Sequence, residues 1–234
     1  MEKLRDYAAQ YGIPLNDAML AAFGKYSGFM LEYNEKVNLT AITAPDEIII
    51  KHYVDSLLVL DAYDIPHGAD VIDVGTGAGF PGVPLKIARP DINLTLLDSL
   101  GKRVKFLAQL SQLLGQSGNN CIHERAEQAA NKSLHREKFD AAVSRAVAAL
   151  PALCEYAMAF VKPGGVFIAL KGGDAEQEVR GAQSAMRLMG GVLSGTARYT
   201  LPDGSARSIV VIKKISQTPP KYPRISARIT KTPL

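Results

Sequence analysis

The sequence predicts an α/β fold, in which strands and helices alternate along the chain. A β-branched run, 71–74, leads into a stretch with glycine at positions 75, 77, 79 and 82, and a second apolar run ends at Asp98. Glycines at such a turn let the backbone approach a ligand closely, which a Cβ would obstruct. Asp98 lies 19 residues after Gly79, where an acid at a strand tip can bind ribose hydroxyls. These features predict a Rossmann-like βαβ unit around a nucleoside cofactor.

An N-terminal helical extension is expected to precede this unit. Apolar side chains recur at three- and four-residue steps from about residue 3 to residue 37, which is the period of a helix. Gly12-Ile-Pro14 divides this region into two helices, with Asn16 or Asp17 as the cap of the second. A third helix is predicted from Pro45 to about Leu60.

Seven strands are predicted after the extension. Five of them, at 70–74, 93–98, 120–124, 139–144 and 166–170, alternate with helices that include 102–114, 150–161 and 174–188. This alternation indicates a parallel sheet with right-handed crossovers. The runs 192–201 and 208–215 predict a closing antiparallel hairpin. We therefore expect a helical cap at 1–64, a cofactor-binding domain at 65–216 and a basic tail at 217–234.

The acid before the glycines indicates which nucleoside cofactor fits. The run Gly77-x-Gly79-x-x-Gly82 matches the dinucleotide fingerprint, but Asp73 precedes it, and a carboxylate beside a pyrophosphate would be repelled. S-adenosylmethionine carries no phosphate, and its ammonium and sulfonium attract a carboxylate. The motif resembles the first motif of Rossmann-like methyltransferases. The alternative is that the glycines serve only a tight strand-to-helix turn.

Residues at the carboxyl ends of the strands are the candidates for ligand binding, because open α/β sheets bind ligands there. In chain order they are Asp73, Gly75, Gly77, Gly79, Phe80, Asp98, Ala126, Glu127, Arg145 and Lys171. Three of these residues also have a structural interpretation: Glu127 as an acid at a helix start, Arg145 as a surface charge and Asp98 as an ordinary strand-end acid.

The methyl acceptor is suggested by signatures that the sequence lacks. Amino methylases of adenine and cytosine carry an Asn/Asp-Pro-Pro-Tyr/Phe run after strand four, where this chain has Ser144-Arg-Ala-Val147. Carbon methylation of a pyrimidine needs a thiolate nucleophile, and Cys154 lies within an apolar helix. A ring nitrogen with a free lone pair, such as guanine N7, needs no base and is therefore the acceptor that we favour.

Composition sets further expectations. The chain has 234 residues, is 47% hydrophobic and carries a net charge of +4, and its last 28 residues contain no acid. Such a tail suggests a nucleic-acid partner or a solvated segment. No secretory h-region or 18-residue apolar run occurs, and Cys121 and Cys154 are not spaced for a metal site or a redox pair. We expect a cytoplasmic monomer with no bound metal and no membrane attachment.

Several blocks appear in one order: Asn38-Leu-Thr-Ala-Ile-Thr43, His52-Tyr-Val-Asp-Ser56, 73–82, 97–105, Ser144-Arg-Ala-Val147 and Leu170-Lys-Gly172. Together, across about residues 25–215, they closely resemble the small-subunit ribosomal RNA guanine-N7 methyltransferases, the glucose-inhibited division protein B family. The resemblance implies a seven-stranded methyltransferase sheet and contacts from Gly75, Phe80, Ala126, Glu127 and Arg145 to S-adenosylmethionine. It also implies N7 of one guanine in bacterial 16S rRNA, free or in the 30S subunit, as the acceptor.

The reaction expected from this resemblance is an in-line attack of N7 on the sulfonium methyl. No catalytic base is required, so Arg145 and Lys171 are expected to position the reactants. The cations expected to bind rRNA phosphates are Lys102, Arg103, Arg145, Lys171, Arg224 and Arg228, with the tail becoming ordered on RNA. His52 is interpreted as a hydrogen-bonded helix histidine. The competing classes are a dinucleotide oxidoreductase, a methylase of another RNA, a protein or a small molecule, and a non-catalytic ribosome-associated protein.

Overall fold

The computed structural model describes residues 1–116 and 118–234 and begins with the predicted helical extension. Helix α1 spans Glu2–Ala9 and α2 spans Asp17–Val37. Asn16 caps α2, because its side chain accepts a hydrogen bond from the amide of Met19. The predicted third helix, α3, consists of consecutive segments at Pro45–Glu47, Ile48–Val54, Asp55–Leu57 and Val59–Ala62. Its segment Ile48–Val54 is π-helical, which the sequence pattern did not indicate.

The rest of the chain forms the predicted seven-stranded sheet with its helices. In chain order these are β1 Asp70–Val74, α4 Gly82–Ala88, β2 Asn93–Asp98, α5 Gly101–Leu113, β3 Asn120–His123, α6 Ala126–Ala129, β4 Phe139–Arg145, α7 Leu150–Ala157, β5 Val161–Gly172, α8 Glu176–Gly181, α9 Gln183–Leu188, β6 Gly191–Thr200, β7 Ala206–Lys214 and α10 Ser226–Lys231. A single 3₁₀ turn, Met158–Phe160, follows α7.

The strand order is β3-β2-β1-β4-β5-β7-β6, with the first five strands parallel and β7 antiparallel to both of its neighbours. The order reverses between β1 and β4, so ligands are expected at the carboxyl edge there. Alternate residues of β1 face opposite sides of the sheet. Val71 packs into a core shared with α2 and α3, and Ile72 packs into a core shared with α7 and α9.

Three predicted elements differ from the observed ones. The helix predicted at 150–161 ends at Ala157, and β5 begins at Val161 rather than at 166. Phe139 pairs with Val161 and Ala141 pairs with Val166, so the run Lys162–Gly165 forms a bulge in β5 instead of a loop before it. The helix predicted at 174–188 is divided at Ala182, directly after Gly181, a residue type that weakens helices.

The tail is folded, contrary to the expectation that it becomes ordered on RNA. Tyr222 and Ile229 are buried, and α10 lies near α7. The prediction relied on the net positive charge of the tail. It overlooked the apolar residues between the cations, which supply a packing face. Within the described parts of the chain, no helix is long and apolar enough to cross a bilayer.

Candidate functional site

A cavity of about 540 Å³ opens at the carboxyl ends of β1, β2 and β3. Four of the residues predicted to bind the cofactor line it: Gly75, Asp98, Ala126 and Glu127. They lie at or just after the ends of three parallel strands, which meet at one edge of the sheet. The volume lies within the range of pockets that hold small ligands of cofactor size.

Asp98 is held rigidly at the tip of β2. One carboxylate oxygen accepts the amide of Leu100 at 2.9 Å, and the other accepts the amide of Gly77 at 2.9 Å. The guanidinium of Arg103 lies 3.5 Å from the second oxygen, so this cation is paired with Asp98. These donors hold the carboxylate facing the cavity, in the place expected for a group that binds ribose hydroxyls.

Asp73 lies beneath the glycine loop rather than in the cavity. Its side chain is fully buried, and its Oδ2 accepts the hydroxyl of Thr76 and the amide of Gly82, both at 2.7 Å. Burial raises the pKa of Asp73 to about 7, against the lowering effect of these two donors. Among the described residues no group donates to Asp73 Oδ1. Asp73 therefore fixes the shape of the loop, and it is not among the residues that line the cavity.

Gly79 is also a structural residue. A Cβ on it would lie 2.7 Å from Tyr26 Oη and 2.8 Å from a methyl of Val83, and its φ is +101°. Only glycine fits this close approach of the loop to α2. The glycine loop therefore packs directly against the helical extension.

Phe80 does not line the 540 Å³ cavity, although it was predicted to pack against the cofactor. Its ring is buried and stacks on His52 at 4.3 Å and on Tyr26 at 5.3 Å between centroids. The Arg145 guanidinium lies 4.9 Å from the Phe80 centroid, in cation–π geometry. An aromatic side chain directly after a glycine loop indicates burial but does not indicate which side of the loop it covers.

A second cavity of about 420 Å³ contains Arg145 and Lys171. The charged and titratable side chains that line it are Lys51, His52, Asp55, Arg145, Lys171, Glu178 and Arg207. Ala146, which follows β4, borders both cavities. The two cavities are therefore neighbours, separated by the end of β4.

Arg145 is positioned by several groups of α3. It donates to Asp55 Oδ2 at 2.9 Å, to the carbonyl of Lys51 at 2.9 Å and toward Nδ1 of His52 at 3.0 Å. The guanidinium of Arg207 pairs with the other oxygen of Asp55 at 3.1 Å. Arg145 thus points into the second cavity and does not line the first, where the resemblance implies that it contacts the cofactor.

His52 is held in its neutral form. Its Nε2 lies 3.0 Å from Oγ1 of Thr40, its ring face stacks on Phe80, and Arg145 contacts its Nδ1 at 3.0 Å. Burial and the Arg145 cation lower the pKa of His52 to about 3. The structure agrees with the interpretation of His52 as a hydrogen-bonded helix histidine.

The predicted phosphate-binding cations have different environments. Lys102 and Arg228 are exposed. Lys171 pairs with Glu178 at 2.7 Å and donates to the carbonyl of Ala148. Arg224 pairs with the buried Glu155 at 2.7 Å, which opposes its predicted role in binding RNA because the carboxylate already occupies its guanidinium.

Sequence reasoning missed four charged residues of the second cavity: Lys51, Asp55, Glu178 and Arg207. Asp55 belongs to the His-Tyr-Val-Asp-Ser block, so its position in a specific motif was the available signal. Arg207 lies 152 residues from Asp55 in the chain, and nothing local predicts that pair.

Both cysteines are unsuited to nucleophilic catalysis. Cys154 is buried, and burial raises the pKa of its thiol to about 12. Burial also raises the pKa of the Cys121 thiol, which lies on β3. Within residues 1–116 and 118–234, no group of three or more His, Cys, Asp or Glu side chains could hold a metal ion.

Comparisons with known proteins give one consistent result. A family model described as GidB, rRNA small subunit methyltransferase G, matches residues 19–202. The chain is 46% identical to ribosomal RNA small subunit methyltransferase G of Desulforamulus reducens, covering 99% of this chain and 97% of that one. It is 44% identical to the protein of the same name from Alkaliphilus metalliredigens, with the same coverage.

A solved structure resembles the fold at low sequence identity. It is a mutant of the 16S rRNA (adenine(1408)-N(1))-methyltransferase from Catenulisporales acidiphilia, with a TM-score of 0.54 and 13% identity. The match covers 64% of this chain and 87% of that one. At this identity the likeness concerns the fold alone, and it agrees with the predicted Rossmann-like methyltransferase sheet.

Proposed function

This chain belongs to the rRNA small subunit methyltransferase G family, and from that membership we propose that it methylates N7 of a guanine in bacterial 16S rRNA. It is an S-adenosylmethionine-dependent methyltransferase that acts on rRNA. The observation that best supports the finer proposal is the pair of cavities that meet at Ala146. One has the features of a cofactor site, and the other is lined by cations suited to an RNA acceptor.

The residues of the first cavity fit S-adenosylmethionine. Asp98 presents a fixed carboxylate for two hydroxyls. Ala126 and Glu127, which line the same cavity just after β3, are proposed to bind adenine through a carboxylate or a backbone group. Asp73, Gly75, Gly77 and Gly79 form or support the loop beneath the ligand. When bound, S-adenosylmethionine supplies a methyl group on a sulfonium, which is a good leaving group.

The residues of the second cavity position the acceptor. Arg145 and Lys171 are anchored by Asp55 and Glu178, so their cationic groups are fixed at the ends of β4 and β5. Fixed reactants in a near-attack geometry can contribute about 7–11 kcal/mol to lowering the barrier. N7 of guanine offers its lone pair directly, and the neutral His52 is not required as a base. Phe80 supports this site by packing between His52 and Tyr26.

The test is to identify the methylated nucleoside. We expect the full chain, S-adenosylmethionine carrying a labelled methyl group and bacterial 16S rRNA to yield labelled 7-methylguanosine after digestion and mass spectrometry. Free rRNA and 30S subunits serve as parallel substrates. Label in another nucleoside, or only in protein, would contradict the proposal.

The cysteine variants test the chemistry of the acceptor. We expect Cys121→Ala and Cys154→Ala to retain the single-turnover rate of methyl transfer, because no thiolate attacks the base. Cys154→Ala is expected to lower the free energy of unfolding by about 1–3 kcal/mol, since it removes a buried sulfur. A folded Cys154→Ala protein without activity, or a trapped covalent adduct with RNA, would indicate carbon methylation.

Exposed cations are proposed to bind RNA phosphates. If Lys102 contacts one phosphate, Lys102→Ala should reduce the slope of log affinity against log salt by about 0.7–0.9. Lys138→Ala is the control, because Lys138 is also exposed but precedes β4, at the opposite edge of the sheet. Equal slopes for the two variants, measured by filter binding across salt concentrations, would remove Lys102 from the RNA surface.

The organisation of the chain also remains a proposal. We propose a helical cap at 1–64, a methyltransferase domain at 65–216 and a C-terminal segment at 217–234, in a cytoplasmic monomer. The boundaries are supported by the start of β1 at Asp70 and the end of β7 at Lys214. Light scattering of the purified chain, alone and with rRNA, tests the oligomeric state.

A further inference from the structure

The C-terminal segment contributes to the wall of the cofactor cavity. Ser226, Thr230 and Pro233 line the same 540 Å³ cavity as Gly75 and Asp98. They lie outside the part of the chain that the family model matches, which ends at residue 202. A segment whose cations suggested an RNA-binding arm thus lies against this cavity.

Specific contacts hold the segment in this position. Arg224 donates to both carboxylate oxygens of Glu155, at 2.9 Å from Nε to Oε1 and 2.7 Å from Nη2 to Oε2. Glu155 is fully buried, so its carboxylate depends on this pair. Arg136 donates to the carbonyls of Thr218 and Tyr222, at 2.8 and 2.9 Å. These contacts fix residues 218–224 and thereby fix the start of α10.

The side of the cavity at which α10 lies indicates which part of the cofactor it meets. Ser226 and Thr230 also border a neighbouring cavity with Arg125, Glu127 and Gln128, directly after β3. The hydroxyl of Ser226 lies 3.0 Å from that of Tyr156, another residue of the cofactor cavity. The end of β3 is the place at which adenine is expected in the proposed function.

We propose that α10 forms the outer wall of the adenosine end of the cofactor site, with Ser226 and Thr230 facing the ligand. The segment is therefore an element for binding S-adenosylmethionine and its demethylated product. This inference rests on the proposed function, since it assigns an additional part of the same site. Substitutions in the tail that fill this cavity are therefore expected to lower cofactor affinity.

Two threonines on the same segment provide a matched test. Thr230 lines the cavity and donates to the carbonyl of Ser226, whereas Thr232 donates to the carbonyl of Arg228 and does not line it. Both are exposed. By calorimetry with S-adenosylhomocysteine on the full chain, we expect Thr230→Tyr to weaken affinity at least about tenfold by overfilling the site. Thr232→Tyr should bind as the unaltered chain does.

The outcomes separate this inference from the proposed function. If the unaltered chain does not bind S-adenosylhomocysteine, the proposed function fails. If it binds and Thr230→Tyr binds equally well, only the wall assignment fails. Equal weakening by Thr230→Tyr and Thr232→Tyr would also overturn the assignment, because it would mean a general disturbance of the segment.

A second measurement uses the unaltered chain and is independent of how the variants fold. Arg228 and Arg187 are exposed trypsin sites on helices, and only Arg228 lies on α10. We expect saturating S-adenosylhomocysteine to slow cleavage after Arg228 relative to cleavage after Arg187, as followed by mass spectrometry. Equal cleavage with and without the ligand at Arg228 would overturn the proposal.

Discussion

Gly77→Val is expected to weaken cofactor binding roughly 100-fold in a chain that still folds. Gly77 has a φ of +61°, and no atom lies within 4 Å of the place where its Cβ would be. Its amide donates to Asp98 Oδ2, so the open space adjoins the carboxylate proposed to bind ribose. A branched side chain there would occupy space that the cofactor needs. If the overfilled site costs about 3 kcal/mol of binding free energy, the affinity falls roughly 100-fold.

The control for this variant is Gly12→Val. Gly12 has a φ of +69° and equally open surroundings, but it lies in the turn between α1 and α2. Both variants should lose a similar free energy of unfolding, about 1–2 kcal/mol, from the left-handed backbone. Calorimetry with S-adenosylhomocysteine should then detect weakened binding for Gly77→Val alone. Unchanged affinity of Gly77→Val would contradict the assignment of the cofactor site.

The parts of the site that the sequence predicted are those fixed by backbone topology. Parallel strands place their carboxyl ends at one edge, so locating β1, β2 and β3 was enough to bring Gly75, Asp98 and Ala126 to one cavity. Apolar periodicity and glycine punctuation located those strands, because they reflect burial and backbone conformation, which are local properties.

The direction and pairing of charged side chains could not be predicted in the same way. Arg224 and Glu155 are 69 residues apart, and Arg145 and Asp55 are 90 residues apart. A count of cations along the tail cannot distinguish an arginine bound to an internal carboxylate from one available to RNA. Phe80 presents the same difficulty, since its place in the stack depends on rings from α2 and α3.

Arg145→Met is expected to reduce methyl transfer by about 100-fold at saturating cofactor, because a misplaced acceptor loses the near-attack geometry. Affinity for S-adenosylhomocysteine should remain unchanged, since Arg145 lines the second cavity only. A parallel loss of affinity would instead support the cofactor contact that the family resemblance implies.

Arg89→Met is the control for the loss of an ion pair. Arg89 pairs with Asp91 at 2.8 Å and donates to the carbonyl of Ile65, in the loop before β2 at the opposite edge of the sheet. Arg89→Met should lower the free energy of unfolding while leaving the rate of methyl transfer unchanged. If both variants lost activity equally, the effect of Arg145→Met would reflect stability alone.

The pKa of His52 gives a readout of Arg145 that does not depend on activity. Burial is the larger cause of the low pKa, about 3, and the Arg145 cation is the second. Arg145→Met should therefore raise this pKa, while burial still holds it below the ordinary value of 6.5. Proton NMR can follow the His52 ring signal, which His52→Gln identifies by its absence.

The sign of the expected stability change follows from the same pKa values. Because the folded chain holds His52 neutral down to about pH 3, the unfolded chain binds one more proton between about pH 3 and 6.5. The contribution of His52 to the free energy of unfolding is fully present above pH 6.5 and is lost as the pH falls from 6.5 to about 3. In Arg145→Met the free energy of unfolding should depend less on pH in this range. Chemical denaturation at several pH values measures this change, with His52→Gln for comparison. An unchanged His52 pKa in Arg145→Met would show that the guanidinium does not act on the ring, and would contradict this account of how Arg145 is positioned.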